Sequence, residues 1–258
     1  MNYETFTGIL LAFAYYYPLF MSYIWICGGL YYRFHWEKQT GSFDDLPQQK
    51  TYLPVSIIVP AFNEEEHIAD TLSQLLKSRY PEYEIIVVND GSHDRTGEIV
   101  EEFVSAHDNV RVIHIETNKG KAVALNTGAM LAKYEILVCI DSDAMLEEHA
   151  LAWLASHFEN SPRLAAVTGN PRIRNRSTLL GKIQVGEFSS IIGLIKRSQR
   201  IYGRVFTVSG VVTAFRKSAL QRTGFGDQTQ RRTILTSVGD YRLITGIFVT
   251  NLMPYAGS

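Results

Sequence analysis

The chain has 258 residues, enough for one α/β domain with additional elements. A formal net charge of −1 with 20% charged residues excludes a basic nucleic-acid-binding surface and an acidic tail as organising features. Forty-six per cent hydrophobic residues is ordinary for a globular protein, but the apolar residues are concentrated at the N-terminus.

No charged residue occurs from Thr5 to Tyr32, and the run from Ile9 to Cys27 is strongly apolar. A bilayer core takes about 20 such residues, so residues 6–32 are predicted to form a transmembrane helix in contact with lipid. Tyr15, Tyr16 and Tyr17 beside Pro18 are unusual in a span, since aromatic residues prefer the interface. A hairpin broken at Pro18 and a buried core helix are the rival arrangements. A signal peptide would open on basic residues and close on a small-residue cleavage site, and Met1-Asn2-Tyr3-Glu4 offers neither. Arg33, His35 and Lys38 follow the run and only Glu4 precedes it. The positive-inside rule therefore places the N-terminus outside and the remainder on the cytoplasmic face of the inner (cell) membrane. Residues 33–54 read as a polar linker closed by Pro54. Cys27 and Cys139 are too few and too far apart for a disulfide framework.

From Val55 strands and helices alternate. Residues 55–59, 84–88, 110–115, 136–140 and 164–168 are predicted strands, the first four rich in β-branched residues. Ile68, Leu72, Leu75 and Leu76 fall at helical spacing, as do Ile99, Val100, Phe103 and Val104, and residues 122–132 and 150–158 complete the helices. Alternation of this kind predicts an α/β domain, a mainly parallel sheet with helices on both faces. Residues 178–202 form an amphipathic helix that either lies at the membrane surface or packs on the domain.

Four polar loops interrupt this pattern: Pro60 to Glu65, Asn89 to Asp94, Asn118 to Ala122, and Asp141-Ser142-Asp143. The first, second and fourth follow strands, and ligands bind outside the carboxyl ends of strands in open parallel sheets. Asp141 and Asp143, two apart on extended chain, project the same way. Together they suit Mg²⁺ or Mn²⁺ bridging to a nucleoside diphosphate, where the metal acts as a Lewis acid on the leaving group. Asp90 precedes Gly91, which permits a tight turn and the close approach of a ligand; Asn-Asp-Gly-Ser is also simply a good turn. Lys121 is either a point charge for phosphate or an exposed helix-start lysine. Asn63, Glu64 and Glu65 also suit a helix N-terminus. His67, His93, His107, His114, His149 and His157 lack metal-ligand spacing and read as structural or surface residues. Neither Gly-x-Gly-x-x-Gly after the first strand nor Gly-x-x-x-x-Gly-Lys occurs, which removes dinucleotide and ATPase readings.

In order and spacing the four loops resemble those of the family 2 glycosyltransferases with the GT-A fold. Val167 to Arg172, Gly186-Glu187-Phe188, Val208-Ser209-Gly210 and Ala214 to Leu220 are similar to segments of the membrane-bound processive synthases within that family. The nearest branch makes poly-β-1,6-N-acetylglucosamine; chitin, hyaluronan and cellulose types are relatives. The resemblance covers about residues 6–225. It implies a UDP-sugar donor (UDP-GlcNAc), inverting transfer to a growing glycan acceptor, an exported biofilm polysaccharide, and a small membrane partner subunit. Carried over by position, Ala61, Asn63, Glu65 and Asp90 would line the uridine site and Lys121 would sit near the donor. Asp141 and Asp143 would handle metal and diphosphate, and Ser209 and Gly210 would lie in the acceptor region.

Past Phe225 the family pattern stops. Family members continue with a Thr-Glu-Asp segment supplying the base, a Gln-x-x-Arg-Trp segment and further membrane helices. Here Gly226 opens a tail whose carboxylates are Asp227 and Asp240. The expectation is an incomplete GT-A domain at 55–225, an atypical tail at 226–258, and a truncated chain nearly inactive in polymer synthesis, since a missing base costs about 10²–10⁴-fold. Two other classes stay open. A nucleotidyltransferase would bring a Gly-rich, basic loop after the first strand, which Ala61 to Glu64 is not. A non-catalytic membrane-anchored binding subunit would bind UDP without turnover.

Overall fold

A computed structural model describes residues 3–35, 46–47, 49–169, 178–201, 208, 210–222 and 247–250. The apolar N-terminus is one unbroken helix, α1 (Tyr3–His35), longer at both ends than residues 6–32 and including the first residues assigned to the linker. It runs through Pro18, so the hairpin is not formed. Proline lacks the N–H of an interior helical residue, and Ser22 Oγ, one turn on, donates to the Pro18 carbonyl (2.7 Å). Its most apolar stretch of 18 residues has a mean hydropathy of 1.5 and no buried residue, which removes the core-helix reading. The helix is long and apolar enough to cross a membrane.

The domain follows as β1 (Val55–Ala61), α2 (Ile68–Leu75), β2 (Tyr83–Asp90), α3 (Thr96–Ala106), β3 (Val110–Ile115), α4 (Lys121–Leu131), β4 (Ile136–Ile140), α5 (Ala150–Asn160) and β5 (Ala166–Gly169). Next come α6 (Leu179–Phe188), a π-helical stretch (Ser189–Lys196) and α7 (Arg197–Ile201), then β6 (Val212–Arg216), α8 (Lys217–Arg222) and β7 (Ile247–Thr250). The described strands form one sheet in the order β3-β2-β1-β4-β6-β5-β7. β3, β2, β1 and β4 run parallel, while β6, β5 and β7 are joined antiparallel beyond β4. The parallel part of the predicted sheet is thus its first four strands. β6 runs antiparallel to both β4 and β5, although helices precede it in the chain. β7 lies within the tail assigned no motif and forms the sheet edge beside β5.

Period-2 alternation in the central strands sends side chains to two cores. Ile57, Val59, Ile85, Val87, Val138 and Ile140 face α2, α3 and α5, where Leu72, Val100, Leu154 and Phe158 are fully buried or nearly so. Ile58, Ile86, Val88, Leu137 and Cys139 face α4 and α8 through Ala124, Leu125, Ala129 and Leu220. Burial pushes the Cys139 thiol up to about 12, with the Asp141 charge adding to it, so this residue is an inert core thiol.

The predicted helix 178–202 packs against α1. A Cβ on Gly28 would lie 2.4 Å from Ser198 Oγ, and one on Gly29 would lie 2.4 Å from Leu194 Cδ1. Ser198 Oγ lies 2.9 Å from the Trp25 carbonyl and 3.0 Å from that of Leu194, so a hydroxyl fastens the two helices where glycine lets them approach.

The strand ends remote from the polar loops carry a half-buried ionic cluster. Glu84 accepts from Ser56 Oγ, the Lys133 amide (2.6 Å) and Arg111 Nε (2.9 Å). Burial works to raise the Glu84 carboxyl, and these hydrogen bonds with the Arg111 charge outweigh it, holding the group below the usual glutamate range. A depressed folded-state value contributes stability above the unfolded value, about 4.3, and loses it as the pH falls through the folded value. Thermal melts from pH 6 downward are expected to show a steeper loss below about pH 4.3 in the wild type than in Glu84→Gln. Parallel curves would show that Glu84 carries none of the acid sensitivity.

Candidate functional site

β1 ends at buried Ala61, which pairs with Asn89 across the parallel register, and Asn89 pairs with His114 of β3. Asn89 and Asp90 are therefore the last residues of β2 rather than part of a free loop, and both are buried. Past Ala61 the chain turns at Asn63, whose φ of 53° is left-handed, a conformation that asparagine tolerates. The Asn63 amide donates to Ser92 Oγ (3.0 Å), and its Oδ1 accepts from the His93 amide (2.9 Å). The Glu64 amide donates to Thr96 Oγ1 (2.8 Å) and the Glu65 amide to Asp94 Oδ2 (3.1 Å). Glu65 Oε2 in return accepts from the Arg95 amide (3.0 Å) at the start of α3. The loops after β1 and β2 are thereby knitted into one rigid rim.

Thr96 is the pivot of that rim. It is fully buried, and its hydroxyl accepts from Glu64 while donating to Asp94 Oδ1 (2.6 Å). Burial acts to raise the Asp94 carboxyl, but hydrogen bonds from the Thr96 hydroxyl and amide and from the Glu65 amide hold it below its ordinary value. Thr96→Val keeps the shape and removes both bonds. The Glu64 amide and Asp94 are only half-buried, so losing the two bonds costs on the order of 1 kcal/mol, and thermal unfolding is expected at lower temperature, with Thr96→Ser close to wild type. Equal melting of the valine and serine variants would refute the pivot.

Asp90 is 3% exposed, and its two oxygens accept from the Lys119 amide (3.0 Å) and the Gly120 amide (2.7 Å). Gly91, at φ 69°, presses against the same loop: a Cβ there would lie 2.6 Å from the Asn118 nitrogen. The end of β2 thus fixes the segment delivering Lys121, the first residue of α4. Lys121 Nζ lies 2.6 Å from Asp141 Oδ1 at the end of β4. The Asp141 amide donates to the Val211 carbonyl (3.1 Å), which places Gly210 beside the carboxylate segment. Ser142 is buried and its carbonyl accepts from Thr71 Oγ1 (2.7 Å), anchoring the turn on α2, with Asp143 half-buried next to it.

Asp90, Lys121 and Asp141 accordingly stand in one bonded line across the carboxyl ends of three parallel strands. Ala61 and Asn63 adjoin that line. Glu65 is exposed and turned to α3, and Ser209 lies outside the described residues. The residue types of the line suit a nucleoside diphosphate: a carboxylate at one end, an ammonium in the middle and two carboxylates at the other. Among the described residues there is no group of three or more His, Cys, Asp or Glu able to hold a metal ion. Asp141 and Asp143 lie not on the expected extended chain but in a turn closed by the Ala144 amide on the Asp141 carbonyl (3.1 Å), and as hard oxygen donors they would suit a divalent cation from there. Phosphate oxygens and water would complete the shell.

Asn89 and His114 were not singled out in the sequence as site residues. Asn89 Oδ1 accepts from the Ser92 amide (3.1 Å), its Nδ2 donates to His114 Nδ1 (3.1 Å), and His114 Nε2 donates to Glu101 Oε1 (3.0 Å). This relay braces the turn after β2 from the edge strand. Its signal lay in the register that sets position 89 beside position 114, not in metal-ligand spacing.

Residues 56–224 match the family described as glycosyl transferase family 2. The chain is 46% identical over 216 residues to a poly-beta-1,6-N-acetyl-D-glucosamine synthase of Staphylococcus epidermidis, covering 83% of this chain and 52% of that protein. It is 41% identical over 222 residues, at the same coverage, to the synthase of that name from Staphylococcus aureus (strain COL). The chain therefore spans about half the length of the curated relatives it matches. Among solved structures, the mannosyltransferase PcManGT from Pyrobaculum calidifontis, in complex with GDP-Man and Mn²⁺, aligns with a TM-score of 0.59 at 24% identity, covering 80% of this chain and 57% of that one. That likeness is one of fold, with the same mixed sheet flanked by helices. With a family match over most of its length and a GT-A-type sheet beneath it, the chain belongs to glycosyl transferase family 2.

Proposed function

We propose that this chain carries the donor-binding half of a membrane-bound glycosyltransferase that moves N-acetylglucosamine from UDP-GlcNAc to a growing β-linked poly-N-acetylglucosamine. The observation that supports it most directly is the line Asp90, Lys121, Asp141 across the strand ends. In this reading Ala61, Asn63 and Asp90 border the nucleoside, Glu65 holds their loop from its bond to the start of α3, and Lys121 meets the diphosphate as a point charge. Asp141 and Asp143 hold Mg²⁺ or Mn²⁺, which when bound offsets charge on the departing UDP. Ser209 and Gly210 border the acceptor, which the bond from Asp141 to Val211 keeps next to the donor end. The acceptor hydroxyl, giving its proton to a base that these residues do not supply, bonds to the anomeric carbon as the bond to UDP breaks, inverting the configuration. The rigid rim of hydrogen bonds keeps these groups in place before the sugar arrives, so little reorganisation accompanies the reaction.

In the same proposal α1 spans the inner membrane with its N-terminus outside, and the family 2 domain is cytoplasmic, where UDP-sugars are made. The mostly exposed apolar surface of α1 supports its contact with a membrane, and Arg33 and His35 in its last turn favour the orientation.

The test is a calorimetric titration of UDP into the detergent-solubilised chain with and without Mn²⁺. Metal-dependent binding is the expected result. Failure of UDP to bind a protein that still shows a cooperative melt would overturn the donor-site reading.

A further inference from the structure

The ion pair between Lys121 and Asp141 occupies the place where the proposed function puts a cation. Lys121 Nζ is 2.6 Å from Asp141 Oδ1, and the Asp141 side chain is only 13% exposed against 40% for Lys121. The backbone that carries the lysine is held in place. It begins α4 directly after Gly120, whose amide is bound by Asp90, and the Asp90 carboxylate is itself buried. Two carboxylates also make a thin donor set, because Mg²⁺ and Mn²⁺ are six-coordinate and no third acidic or imidazole ligand joins them among the described residues. A divalent ion approaching alone must either displace an ammonium from a partly desolvated carboxylate or share that carboxylate with it. A nucleoside diphosphate changes both conditions, since its phosphates offer Lys121 a second anion and offer the metal further oxygens.

The geometry points to Lys121 as a place-holder for the metal. In the free protein its ammonium neutralises Asp141, and a nucleoside diphosphate draws it off, so that the diphosphate and the divalent ion bind strongly together and weakly apart. This rests on the donor-site reading above and adds an order to it. The side chain acts as an interlock that keeps the carboxylates from collecting metal when no donor is present. Linkage makes the coupling reciprocal, so that Mn²⁺ must tighten UDP by the factor by which UDP tightens Mn²⁺.

The experiment measures Mn²⁺ binding to the detergent-solubilised chain from the resonance of the free ion, with and without saturating UDP, for wild type, Lys121→Met and Lys121→Arg. Wild type is expected to bind Mn²⁺ weakly alone and at least about tenfold more tightly with UDP, the scale of one charge-assisted pair removed and new ligands gained. Lys121→Met is expected to bind Mn²⁺ alone about five- to tenfold more tightly than wild type, with a smaller gain from UDP. Lys121→Arg keeps the charge and is expected to stay near wild type in the absence of UDP. Lys121 is a half-exposed helix-start residue, and a melt of each variant confirms that the fold is retained. Equal Mn²⁺ affinity of wild type and Lys121→Met without UDP would overturn the place-holder while leaving the donor site intact. Absence of Mn²⁺ binding to wild type even with UDP would instead overturn the metal assignment beneath it.

Discussion

Gly91→Ala is expected to lower the melting temperature by about 5–12 °C and to abolish measurable UDP binding, a larger effect than the loss of any single hydrogen bond in the domain. Two penalties coincide at this position. The residue sits at φ 69°, where an L-residue with a Cβ loses about 1–2 kcal/mol. The added carbon would also meet the Asn118 nitrogen at 2.6 Å and the Thr117 carbonyl carbon at 2.8 Å, both of them backbone atoms that no rotamer change can move aside. Shifting residues 117–118 pulls the amides of Lys119 and Gly120 from Asp90, leaving a carboxylate that is 3% exposed with its partners displaced. An unpartnered buried charge costs more than the strain itself, so the damage passes from a turn to the lysine that this turn positions. Gly91→Asn separates the two causes. Asparagine accepts the left-handed conformation and still carries the Cβ, so it is expected to fail as alanine does; rescue by asparagine would assign the effect to φ alone. A Gly91→Ala protein that melts with wild type and binds UDP as tightly would refute both.

How much of this architecture was legible beforehand varied with the range of the interactions involved. β4 at Ile136–Ile140 has the limits expected from its apolar run, because a strand buried on both faces needs continuous hydrophobic side chains, and β3 at Val110–Ile115, a half-buried edge strand, also keeps its expected limits. α4 begins within one residue of expectation. The ends of β1 and β2 extend past their apolar runs, since Ala61 and Asn89 remain in the ladder by pairing with each other, which composition does not report. The antiparallel pairing of β6 with β4 and β5 is likewise a long-range contact that alternation of elements does not report. The site divides the same way. That Asp90, Lys121 and Asp141 lie at one sheet edge follows from strand order. That Asp90 binds the loop carrying Lys121, and that Glu65 faces α3, follows from contacts between segments about 30 residues apart. His114 shows the limit most plainly: alone it is one histidine among several, and only the register of β2 with β3 makes it a brace for Asn89.

Asp141→Ala and Asp143→Ala are each expected to remove the Mn²⁺-dependent part of UDP binding, with a loss of at least about 100-fold in Mn²⁺ affinity measured with UDP present. The two variants should nevertheless differ in a way that follows from one contact. Asp143 is half-buried beside the anchored Ser142, and its loss leaves the pair between Lys121 and Asp141 in place. Removing Asp141 takes away the acceptor 2.6 Å from Lys121 Nζ and releases the ammonium next to the proposed phosphate position. UDP binding without metal is therefore expected to strengthen a few-fold in Asp141→Ala and to stay at or below the metal-free wild-type value in Asp143→Ala, because breaking one partly exposed ion pair is worth on the order of 1 kcal/mol. The sign is what carries the argument. A pair of carboxylates acting only as metal ligands would give the same metal-free affinity in both variants, whereas a lysine held back by one of them makes that affinity rise in Asp141→Ala alone. Calorimetry of UDP against the three proteins in a chelating buffer reads this difference directly. Equal metal-free affinities would leave Lys121 as a bystander to the diphosphate, and retained Mn²⁺ dependence in either variant would move the metal away from the Asp141–Asp143 turn.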